Sequence, residues 1–141
     1  MKNLITTLLA TILIAFATDA TAQSFKVIVN EANATETVSK KELSEIFLKT
    51  KVKWDDGSSI QPVDLNSQSE TREAFSQEIH GRGVGAIRNH WQQAAFSGAG
   101  TAPLERSSDD EVIDFVKTNP GAVGYISEGT EASGVKVLTI N

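Results

Sequence analysis

The sequence predicts an α/β fold in which short strands alternate with helices, and three observations predict it. Apolar runs rich in β-branched and aromatic residues, at 25–30, 60–65 and 122–126, are too short to be helices. The segments between them carry apolar residues at helical spacing. Three of these open on a serine followed three residues later by a glutamate: Ser39 with Glu42, Ser67 with Glu70, and Ser108 with Glu111. Turn chemistry at Asp56-Gly57, Gly81-Arg82-Gly83 and Asn119-Pro120-Gly121 separates the elements.

In chain order, Met1-Lys2-Asn3, the apolar run 4–17 and the small residues Ala20-Thr21-Ala22 read as a signal peptide covering residues 1–22, so that residues 23–141 form the mature domain. A chain of this length is expected to make one domain, large enough to need no staple, and it has no cysteine. Its net charge of −5, with no basic cluster beyond Lys49, Lys51 and Lys53, argues against nucleic acid or an anionic membrane surface as partner.

Residues 25–30 are a strand buried on both faces, and 31–37 a polar connection. A helix capped at Ser39 runs to about Lys49, burying Leu43, Ile46 and Phe47, and ends without a glycine stop. Trp54-Asp55-Asp56-Gly57 is a turn before the strand 60–65. A helix follows with Thr71, Phe75 and Ile79 on one side, then the glycine break, then a helix over 84–96 with Val84, Ile87, Trp91 and Ala95 on one side and Arg88 expected along the Trp91 indole. Residues 97–103 are a loop, and a helix capped at Ser108 buries Val112, Phe115 and Val116. Residues 122–126 are a buried strand, and 135–140 a last strand paired with it across a Ser/Glu/Gly-rich loop.

The strand-to-helix junction Asn66-Ser67-Gln68-Ser69-Glu70-Thr71-Arg72 is the candidate site. Ser67 with Glu70 fits a capping box, and Ser69 or Asn66 can cap instead. Any of these leaves first-turn N–H groups at the positive end of the helix dipole, a seat for an anion. Arg72 stands at the end of the dipole that disfavours a cation, and an anion beside it offsets that cost. Glu70 and Glu73 neutralise it equally well on paper.

Four motifs in this order, Leu43-Ser44-Glu45-Ile46-Phe47, Trp54-Asp55-Asp56-Gly57, Ser67-Gln68-Ser69-Glu70-Thr71-Arg72-Glu73-Ala74-Phe75 and Asn119-Pro120-Gly121-Ala122-Val123-Gly124-Tyr125, resemble the phosphate-binding substrate-binding proteins of ABC transporters. The resemblance covers roughly residues 38–126. It implies a periplasmic-binding-protein-like α/β lobe, a mixed sheet flanked by about four helices, with Ser67, Ser69, Thr71 and Arg72 as ligand-binding residues for phosphate or a related tetrahedral oxyanion. The implied partners are that oxyanion and a membrane transporter or sensor, with a homodimer as a further expectation, no cofactor and no catalysis.

The chain departs from the family pattern at three points. Glu70 stands where the family has a glycine, and Lys49 where relatives often have one. Only about 15 residues separate the expected cleavage point from the first matched helix, where full-size members carry a second, closing lobe. A single lobe can seat an anion but cannot enclose it, so the expected affinity is weaker than micromolar. The competing function class is a non-ligand-binding protein-interaction module on the same scaffold. His80 and His90 lack metal-ligand spacing, no Gly-x-Ser-x-Gly elbow is present, and Arg82 in Gly-Arg-Gly reads as solvated.

Overall fold

The computed structural model describes residues 24–141, so the expected signal peptide lies outside the described residues. Strand β1 (Phe25–Val29) places four of its five residues in the core. A short strand β2 (Thr37–Val38) leads to helix α1 (Lys40–Phe47), where Ser39 accepts from the Glu42 N–H as expected. Strand β3 (Gln61–Leu65) feeds helix α2 (Glu70–Phe75), which continues as a π-helical turn over Ser76–His80. Helix α3 (Val84–Ser97), strand β4 (Leu104–Arg106), helix α4 (Asp109–Thr118), strand β5 (Ala122–Ser127) and the short strands β6 (Lys136–Val137) and β7 (Thr139–Ile140) complete the chain.

The main sheet is mixed, in the order β4-β3-β5-β1-β6. β3 lies parallel to both β4 and β5, whereas β1 is antiparallel to β5 and β6. Alternation along β5 shows what covers each face. A Cβ on Gly124 would fall 2.6 Å from a Val112 methyl and 2.9 Å from one of Val63, so α4 packs against the sheet at a distance that only glycine allows. The next residue, Tyr125, points the other way and stacks on Phe75 at 3.9 Å, with Phe47 and Phe25 around it. That aromatic cluster joins α1 and α2 to the opposite face.

Three features differ from the sequence expectation. The last strand does not pair with β5: β6 pairs with β1, through Ile28↔Val137 and Val29↔Lys136, and the run is split at buried Leu138, whose N–H bonds Val27 O. β1 lies between the two strands that the loop connects, so the connection spans it. β4 falls just after the expected loop 97–103, at residues to which the sequence pattern assigns no element, since Leu-Glu-Arg has no β-branched residue and Leu104 is exposed; its strand state is imposed by β3, through Val63↔Leu104, Asp64↔Glu105 and Leu65↔Arg106.

The end of α1 is the third. Lys49 takes the left-handed backbone, φ 59°, that glycine usually supplies. Thr50 N–H bonds Glu45 O and Lys49 N–H bonds Ile46 O, which is a Schellman motif with lysine in the glycine position.

Candidate functional site

A parallel strand with neighbours on both sides creates a crevice at its carboxyl end, because the connections leave in opposite directions. β3 is that strand here. Its chain runs through α2 and α3 to β4 on one side, while β5 lies on the other and is reached from β4 through α4. The starts of α2 and α4 and the end of β5 therefore meet at one edge of the sheet.

Hydrogen bonds tie them together. Ser127, at the end of β5, shares a 2.9 Å bond between its hydroxyl and that of Thr71, and its N–H donates to Asp109 Oδ2 at the head of α4. Thr130 Oγ1 donates to the same carboxylate oxygen at 2.6 Å.

At the α2 start the choice left open by the sequence resolves on Ser69, whose hydroxyl accepts from the Arg72 N–H at 3.2 Å, while Asn66 makes an Asx turn by accepting from Gln68 N–H. Ser67 lies just outside, half-buried. The N–H groups of Glu70 and Thr71 precede the i→i−4 ladder and so lack a helical acceptor. The Glu70 side chain is exposed and makes no ion pair or hydrogen bond among the described residues.

Arg72 is placed differently from its neighbours. Only 4% of its surface is exposed, and its guanidinium runs back under the helix to Leu65 O at 3.0 Å and Glu105 Oε1 at 2.5 Å, with Asp64 Oδ2 at 3.9 Å. Tyr125 donates to Asp64 Oδ1 at 2.7 Å and accepts from the Leu65 N–H. Burial pushes the Asp64 carboxyl up to about 6; Arg72 and the tyrosine hydrogen bond oppose that rise, and Glu105 adds to it. Burial and the neighbouring Asp64 raise the Tyr125 phenol well above its ordinary value. The structure thus brings Ser69 and Thr71 to the sheet edge with Ser67 beside them, and turns the Arg72 charge toward the chain's own carboxylates.

Sequence reasoning missed these partners, although one signal was present. Asp64 sits within an apolar strand, where a buried acid requires a donor, and Arg72 is the cation best placed to supply it. Glu105, on the unrecognised β4, gave no such sign. Elsewhere, the cation over an aromatic ring is Arg106, 5.1 Å from the Phe115 centroid, and no such contact joins Arg88 to Trp91. His80, in the π-turn, shares a 2.7 Å bond with the Ser44 hydroxyl, and burial, helped by Arg82 and Arg72, lowers its pKa to about 4.

The motifs behind the family resemblance touch one another. Trp54 donates its indole N–H to Gly121 O at 3.0 Å, and a Cβ on Gly121 would fall 2.2 Å from Ser59 O, so the Trp-Asp-Asp-Gly turn and the Asn-Pro-Gly segment dock as a unit. Phe47, Phe75 and Tyr125, one from each of the other motifs and the last, make the aromatic cluster.

Solved structures share this fold. An ABC-type phosphate transport receptor from Vibrio cholerae superposes with a TM-score of 0.65 at 20% identity, over 83% of this chain and 46% of its own. A possible phosphate binding protein from Planctomyces limnophilus gives 0.64 at 21%, over 84% and 41%, and PstS from Borrelia burgdorferi gives 0.63 at 13%, over 84% and 47%. The chain spans less than half the length of each, a single lobe's worth, and at these identities the likeness is one of fold. No curated protein matches the sequence. A family model described as a PBP superfamily domain matches residues 2–138, nearly the whole chain, and the chain belongs to that family.

Proposed function

We propose that this chain is an exported, periplasmic module that binds phosphate or a related tetrahedral oxyanion weakly, in the service of ABC-type uptake or sensing, with residues 1–22 as its leader and 23–141 as the binding domain. The observation that carries the proposal is the α2 start. It lies at the carboxyl edge of the sheet beside a topological switch, with first-turn N–H groups ahead of the helical ladder, Ser69 capping them, the Thr71 hydroxyl on Ser127, and Ser67 just ahead in the chain. In this reading Arg72 does not grip the ion. It contributes positive potential from below, reduced by Asp64 and Glu105. An open single lobe leaves the ion hydrated, so the expected dissociation constant is weaker than micromolar unless a second copy or a partner covers the site.

A second reading, a protein-interaction module without a small ligand, is favoured by one specific observation: the guanidinium nearest the seat is already engaged by carboxylates of the chain. Thermal shift and isothermal titration against phosphate, sulfate, arsenate and molybdate discriminate the two. The oxyanion reading expects weak saturable binding that strengthens in Glu70→Gly, which removes the exposed carboxylate, and weakens in Thr71→Val. Silence across the panel in both the wild type and Glu70→Gly, together with a defined periplasmic protein complex, selects the second.

A further inference from the structure

The guanidinium of Arg72 leaves the helix start but still borders a cavity, together with residues of α3 and β4. A recess of about 280 Å³ lies between α3 and β4, and Arg72, Arg88, Trp91 and Ala102 are among its walls. Arg88, Trp91, Gln92 and Ala95 occupy positions i, i+3, i+4 and i+7 of α3, so one stripe of that helix forms one wall. Two side chains of that wall lack a polar partner among the described residues. Arg88 makes no ion pair with any described residue. The Trp91 indole N–H finds no hydrogen-bond acceptor among the described residues, and it is sealed from the recess as it is from solvent, so it is the face and edge of the ring that line the recess. Trp54, the other tryptophan, has its acceptor in Gly121 O.

We infer that this recess is a binding site for a small organic monocarboxylate with an apolar body, distinct from the oxyanion seat at the start of α2. Charge selects the head group. Arg72 is already held by Glu105 and Asp64, so Arg88 is the guanidinium of the recess that no carboxylate of the described residues engages, and a flat carboxylate matches a guanidinium in a paired hydrogen bond. A dianionic phosphate would bring twice the negative charge of a carboxylate against Glu105, another wall of the recess. Trp91, Ala95 and Ala102 give the body an apolar surface, and the volume, at the low end for ligand pockets, limits it to a few carbons or one ring.

The test is calorimetric titration of the full chain with butyrate, hexanoate and cyclohexanecarboxylate, with cyclohexanecarboxamide and phosphate as controls, read alongside the two tryptophan indole N–H signals in a ¹H–¹⁵N spectrum. The expected result is saturable binding of at least one carboxylate, no binding of the carboxamide, and displacement of the Trp91 indole signal with that of Trp54 unmoved. Arg88→Ala, on an exposed position of α3 and so expected to fold, weakens binding at least tenfold, and Arg88→Lys weakens it less. Absence of saturable carboxylate binding overturns the inference, as does binding that leaves the Trp91 signal in place, tolerates Arg88→Ala, or is matched by phosphate at the same site. None of these outcomes depends on the α2 seat, whose own test uses Glu70 and Thr71.

Discussion

The starts of α2 and α4 are built alike and finished differently. Each follows a strand of the parallel part of the sheet, each is capped by a serine three residues ahead of the N–H it receives, and both reach the same edge. At α4 the chain supplies its own anions: Glu111 reaches back to the Ser107 N–H, and Asp109 takes Ser127 N–H and the Thr130 hydroxyl. At α2 the acid in the equivalent first position, Glu70, hangs in solvent, and the positive residue is drawn below the helix. One terminus is closed by the chain's own carboxylates. The other has no such carboxylate on it among the described residues, and the charge beneath it is shared with Glu105 and Asp64.

The largest effect expected from breaking this arrangement is at Arg72. Arg72→Met leaves Asp64 buried without its cation and should cost about 3–5 kcal/mol in urea unfolding, partly recovered by adding Asp64→Asn. A loss below about 1 kcal/mol would mean that the guanidinium does not tether α2 to the sheet. Next comes Asp109→Ala, which orphans the Ser127 N–H and the Thr130 hydroxyl and should cost about 1–3 kcal/mol. It should also make α4 resemble α2, so sulfate ought to raise the melting temperature of the variant more than that of the wild type.

The pH dependence sharpens the contrast from beneath the α2 side. Asp64, with a folded value of about 6 against an ordinary 3.8, contributes stability that is full below about pH 4 and is lost as pH rises through 6. His80, at about 4 against 6.5, contributes stability above 6.5 that is lost as pH falls toward 4. The two oppose each other in the same window. Unfolding free energies from urea titration between about pH 4.5 and about pH 6.5 should therefore rise with pH more steeply in Asp64→Asn than in the wild type, and less steeply in His80→Gln, by about 1 kcal/mol each way. Parallel slopes in all three proteins would refute the assignment. The smallest expected effect is the most symmetric: Ser69→Ala and Ser108→Ala should each cost about 1 kcal/mol, and a clear inequality would show that the two caps are not equivalent.

Much of the fold was legible because it rests on local patterns. The helix starts at Ser39 and Ser108, the Asp-Gly turn and the apolar strands 25–30 and 122–126 stand where the residues place them, while the start of α2 is capped by Ser69 and not by the Ser67–Glu70 box. What escaped depends on partners distant in sequence. Leu104-Glu105-Arg106 is a strand only because β3 offers it a ladder, and the expected last strand divides between β1 at 136–137 and β2 at 139–140 because both edges of β5 are already taken by β3 and β1. The candidate site divides the same way. The hydroxyl-bearing corner follows from the capping chemistry of Ser69, whereas the direction taken by the Arg72 side chain was set by Glu105, more than thirty positions away, and by a carboxyl one strand residue before Leu65.

Lys49 has a consequence beyond the end of its own helix. Its left-handed backbone costs about 1 kcal/mol that glycine would not, yet its ammonium group reaches Ala102 O at 3.4 Å across the segment that leads into β4. A glycine there would relax the turn and cut a strap holding the rim of the recess beside Trp91 and Ala102. In Lys49→Gly the melting temperature should therefore rise, while the carboxylate binding proposed for the recess should weaken.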